Sequence, residues 1–79
     1  MEYVALFFTQ SGAIKYNRFL VKRGIQGELK PVPRKLSSSC GISVCFFYKG
    51  DVRMLVSEEV NKIYTVNKGI YSLQYKSED

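Results

Sequence analysis

Apolar and polar positions recur with different periods along the chain, and the changes of period mark its elements. Tyr3-Val4-Ala5-Leu6-Phe7-Phe8 is a short apolar run rich in strand formers and reads as a buried strand. Thr9-Gln10-Ser11-Gly12 interrupts it, with Thr9 or Ser11 placed to cap a helix. From Ala13 to Arg23 the period becomes helical. At about 100° per residue, Ala13, Ile14, Tyr16, Leu20 and Val21 share one broad face with Phe19 at its margin, while Lys15, Arg18 and Lys22 fall opposite. Gly24 follows as a natural C′ residue.

Ile25 to Val32 is a second strand, weakened by Gly27 and stopped by Pro31 and Pro33, which suits a sheet edge. Ile42 to Tyr48 alternates, with Ile42, Val44 and Phe46 on a core face and Ser43, Cys45 and Phe47 on the other. Gly50-Asp51 ends that run and Asp51 is a good cap. Val52, Leu55, Val56 and Val60 then recur at helical spacing, predicting a second helix through about Asn61. Ile70 to Tyr75 is a last strand after a turn at Asn67-Lys68-Gly69. Ile63-Tyr64-Thr65-Val66 either pairs with it as a hairpin or serves as connection. This order predicts an α+β fold of the ferredoxin-like split β-α-β-β-α-β type. Right-handed crossovers would give an antiparallel sheet of order 4-1-3-2 with two helices on one face.

The stretch Pro31 to Ile42 stands apart from these elements. Its prolines hold the chain extended, Gly41 permits a turn, and Cys40 lies between three serines and that glycine. In the predicted topology, the chain enters the third strand at the end where the first strand finishes. Cys40 is therefore expected beside Thr9 to Gly12 and the unpaired N–H groups of the first helix.

The 79 residues make one small domain, 1–79, and a 46% apolar share with eleven aromatics is enough for a core. The net charge of +5 is uneven. Residues 13–35 hold seven cations against Glu28 alone, a net +6 that leaves −1 for the rest. That excess reads either as a solvated helix face or as a docking surface for an acidic partner or nucleic acid. Cys40 and Cys45, if both extended, lie about 16 Å apart, beyond the roughly 7 Å a disulfide allows. Two free thiols imply a reducing compartment. The N-terminus reads as neither signal peptide nor membrane span, so the expected location is cytoplasmic, with no membrane partner.

The run Pro33-Arg34-Lys35-Leu36-Ser37-Ser38-Ser39-Cys40-Gly41-Ile42 resembles the signature of a small bacterial family of selenium/sulfur carrier protein-like domains. The similarity extends over nearly the whole chain, from the opening strand and amphipathic helix to the final Gly-Ile-Tyr. It implies that Cys40 is the carrier residue, holding sulfur or selenium as a persulfide or selenopersulfide between donor and acceptor proteins. No role transfers to Cys45.

Such chemistry needs an accessible thiolate, and thiolates are favoured by cations and helix N-termini. Arg34, Lys35, Ser37, Ser38, Ser39, Gly41, Ser11 and Gly12 are the candidate stabilising groups, and Lys15, Arg18, Lys22 and Arg23 a candidate docking surface. Otherwise Cys40 is a small residue closing a tight loop. An ordinary enzyme fits poorly: there is no His, two cysteines alone complete no zinc site, and no cofactor motif stands out. Glu58-Glu59 reads as an exposed helix face. Two other readings remain. One is a regulatory or assembly domain, with Phe47 and Tyr71 supporting a homodimer. The other is an RNA-binding module, against which strand Cys40 to Phe47 lacks the required aromatic platform.

Overall fold

In the computed structural model, which describes residues 1–38 and 40–78, the chain forms β1 (Glu2–Phe7), α1 (Gln10–Lys22), β2 (Gly27–Pro31) and β3 (Ile42–Phe47). A 3₁₀ helix (Val52–Leu55), β4 (Val60–Asn67) and β5 (Ile70–Lys76) follow. One five-stranded sheet results, ordered β2-β3-β1-β4-β5, and every neighbouring pair is antiparallel. The fold is α+β, with α1 packed on one face.

Two expectations are corrected. The second helix is absent, and the split β-α-β-β-α-β layout with it. Val52 and Leu55 are buried at i, i+3 spacing, which a single 3₁₀ turn capped by Asp51 already satisfies. The order 4-1-3-2 fails because Ile63 to Val66 belongs to a full strand. β-Branched Val60, Ile63, Thr65 and Val66 favour extended chain. The two-residue turn Lys68-Gly69, with φ of 52° and 79°, closes the tight hairpin to β5. β4 therefore takes the place beside β1 and moves the last strand to the edge. The neighbours β2-β3-β1 stand as expected.

The core lies between the sheet and α1. Tyr3, Ala5 and Phe7 of β1, Val44 and Phe46 of β3, and Val60 and Ile63 of β4 pack against Ala13, Tyr16 and Leu20. Tyr16 sits at the centre, its ring 5.2 Å from Phe7 and 5.4 Å from Phe19, and its hydroxyl donates to Leu55 O at 2.7 Å. Burial pushes its phenol well above the usual tyrosine range. Ile14 and Val21, expected on the core face, are 45% and 62% exposed. They lie on a shoulder of the helix, because the buried stripe is narrower than the apolar one. α1 comes very close to β2: a Cβ on Gly27 would lie 2.5 Å from Asn17 Oδ1 and 3.0 Å from Val44 Cγ1.

Candidate functional site

β1 ends at Phe7, and Thr9 turns the chain into α1. Its extended backbone (φ −138°, ψ 159°) lets Oγ1 accept from Gly12 N at 2.9 Å. Ser11 Oγ lies 3.2 Å from the same hydroxyl. Gly12 is buried, and a Cβ there would sit 3.1 Å from Thr9 Oγ1 and 3.0 Å from Glu59 Oε2. The Glu59 carboxylate therefore stands at the positive end of α1, where a negative charge is favoured. It lies in the turn before β4, not on a helix face as expected.

The Cys40 loop meets this end of the helix. The β2–β3 ladder continues one step beyond the strands, Val32 N donating to Gly41 O at 3.1 Å. Gly41 has φ +74°, a backbone that side chains with a β-carbon rarely adopt. Ser38 Oγ donates to Phe7 O at 3.3 Å, accepts from Cys40 N at 3.4 Å, and lies 3.6 Å from Cys40 Sγ. Gln10, the first residue of α1, donates from Nε2 to Cys40 O at 3.3 Å. Cys40 is half-buried at the margin of the core, its thiol donating to Ile42 O at 3.2 Å.

The other residues singled out in the sequence are scattered. Arg34 and Lys35 sit in an exposed turn, and Lys35 Nζ donates to Gly69 O at 3.2 Å, at the β4–β5 turn beyond the far end of β1. Lys35 is thereby held away from Cys40. Ser37 is exposed, and Ser39 lies outside the described residues. Lys15, Arg18 and Lys22 are exposed along α1, whereas Arg23 stacks 3.6 Å over the Phe19 ring and donates to Phe19 O. Cys45 is half-buried in mid-strand on the sheet face away from α1. It lines a cavity of about 520 Å³ with Glu2, Glu28, Lys30 and Phe47. Burial pushes its thiol up, and nearby Lys30 opposes the shift. Both cysteines are free.

The sequence named Gln10 only as part of the Thr9–Gly12 break and Glu59 only as part of an exposed helix face, neither for a side-chain role at the site. Gln10 carried a signal, since the first residue of a capped helix reaches whatever the topology places at that end. Glu59 carried none, because its position depends on β4 starting at Val60. Among the described residues no helix is long and apolar enough to cross a membrane.

Among the described residues, one α-helix on an antiparallel sheet, with a half-buried cysteine looped beside the helix N-terminus, defines a small thiol-bearing α+β domain. The family model described as "Putative Se/S carrier protein-like" matches residues 2–72, and the chain belongs to that family. No curated protein and no solved structure matches it.

Proposed function

We propose that Cys40 accepts sulfur or selenium from a donor protein and passes it to an acceptor. The observation that carries this reading is the setting of Cys40. It is a half-buried cysteine in a loop, with one hydroxyl 3.6 Å from its sulfur and a helix N-terminus alongside. Family membership supports it.

The step is a balanced exchange. The Cys40 thiolate attacks the outer atom of a donor persulfide or selenopersulfide, the new bond forms at Cys40, and the donor's S–S or S–Se bond breaks to release its thiolate. Attack by an acceptor thiolate reverses the sequence, with no net oxidant. To ionise, Cys40 gives up its donation to Ile42 O, and the Ser38 hydroxyl turns from Phe7 O to donate to the sulfur. Arg34, Ser37, Ser39, Gly41, Ser11 and Gly12 belong to the same proposal as anion-stabilising groups, Gly41 through its backbone. The Thr9 cap and Glu59 limit what the α1 terminus adds, since the Gly12 amide is bonded and a carboxylate already faces the turn.

A structural role for Cys40, in a regulatory or assembly domain, is favoured by its bond to Ile42 O and its packing against the core. Loading with a small-molecule persulfide, followed by mixing with a thiol acceptor, separates the two. Transfer is expected from wild type and Cys45→Ser and not from Cys40→Ser. Equal transfer by the Cys40→Ser protein overturns the assignment.

A further inference from the structure

An apolar groove runs along the β2 edge of the sheet and ends at the Cys40 loop. Leu29, Lys30, Pro31, Gly41 and Ile42 line a cavity of about 240 Å³. Leu29 and Pro31 pair with Val44 and Ile42, whose side chains face α1, so the cavity opens on the helix side of β2. Gln10 reaches Cys40 O and Asn17 reaches Gly27, so both point toward the β2 side of the sheet. Ile14 is four residues after Gln10 and three before Asn17, on the same helix face. Two strand residues rise roughly 6.7 Å and four to five helical residues about the same. Ile14 lies three residues, about 4.5 Å, before Asn17, so moving from Gly27 to Leu29 carries the sheet just past Ile14 to about the level of Gly12 and Ala13. Ile14 and Leu29 are 45% and 46% exposed, and Val21 continues the stripe at 62%.

We propose that this groove docks the chalcogen-exchanging partner through an apolar side chain set in an acidic segment. The inference rests on the carrier reading for the partner's identity, and on the groove for its chemistry. The apolar floor selects a leucine-like anchor. The helix side of the rim is cationic: Arg18 stands beside Ile14 and Val21, with Lys15 and Lys22 further round the helix, whereas the Lys30 side chain turns to the opposite face of the sheet beside Glu28. Among the described residues, Lys15, Arg18 and Lys22 enter no ion pair, while Lys30 meets Glu28 at 3.5 Å. A protein fits better than a single-stranded nucleic acid, because the groove offers no aromatic platform on which bases stack. A segment seated between Ile14 and Leu29 runs directly to the loop that carries Cys40.

The test is titration of the ¹⁵N-labelled Cys40→Ser protein with a synthetic peptide bearing one leucine among glutamates. The same peptide with lysines for glutamates, and a poly-U oligonucleotide, serve as comparisons. Saturable shifts at Ile14, Arg18, Leu29, Lys30, Gly41 and Ile42 are expected. Affinity should fall at least tenfold in both Leu29→Ser and Arg18→Glu and weaken with salt. Shifts centred on Phe47 and Leu73, equal binding of the lysine peptide, or tighter binding of the oligonucleotide overturn the proposal. Because Cys40 is absent from the test protein, docking survives or fails independently of chalcogen transfer.

Discussion

Replacing Tyr16 by Phe isolates one hydrogen bond that fixes where the helix of the site lies. The ring packing against Phe7, Phe19 and Phe46 is retained, while the 2.7 Å donation to Leu55 O is lost. A buried carbonyl left without its donor costs about 1–3 kcal/mol. A domain of this length holds about 4–12 kcal/mol in all, at roughly 0.05–0.15 kcal/mol per residue. The loss is therefore a large share of the total. Its pH dependence is diagnostic. In the folded state burial raises the phenol's pKa, so its contribution is full below the unfolded value of about 10. Above that pH the unfolded chain ionises and the native one does not, and wild type loses up to about 1.4 kcal/mol per pH unit relative to the variant. Urea unfolding followed by far-UV circular dichroism at pH 7, 10 and 11 measures both. The gap between the proteins should be about 1–3 kcal/mol at pH 7 and shrink steadily above pH 10. A gap under about 0.5 kcal/mol at pH 7, or one constant with pH, refutes the assignment of that bond as a buried anchor.

Two further outcomes follow from other contacts. Gly27→Ala places a Cβ against Asn17 and Val44 where α1 meets β2, and should lower stability by about 1–3 kcal/mol in urea unfolding, whereas an unchanged midpoint would show that the helix moves aside freely. Cys45, its thiol pKa raised by burial, should react with iodoacetamide at pH 8 several times more slowly in the native protein than in urea. The stability tied to that thiol should be present below the ordinary value of about 8.5 and be lost as pH rises above it, and equal native and unfolded rates would contradict this.

The elements most legible in the sequence are those whose signals are local. Thr9 and Gly24 bracket α1, alternation marks β3, and Asn67-Lys68-Gly69 marks the hairpin turn. The failure between Asp51 and Val66 has a definite cause. Val52, Leu55, Val56 and Val60 satisfy helical periodicity, yet only Val52 and Leu55 form a turn, and Val60 starts a strand whose pairing with β1 is long-range. The side chains of Ile14 and Val21 were misplaced for a related reason. Apolar residues on a helix shoulder are buried only if a neighbouring element covers them, and periodicity is blind to that. At the site, the meeting of Cys40 with the start of α1 was readable from topology, because β1 and β3 are antiparallel neighbours. The departure of Lys35 toward Gly69 was not, since it depends on where β4 and β5 turn.

The central claim is tested most directly by peptide mass spectrometry of the protein purified from cells without reductant, with free thiols blocked at lysis. A fraction of the Cys40 peptide is expected to carry the added mass of one sulfur or selenium atom, removable by a thiol reductant, with the Cys45 peptide unmodified. A Cys40 found only as the free thiol, with the added chalcogen on Cys45 or nowhere, would contradict it.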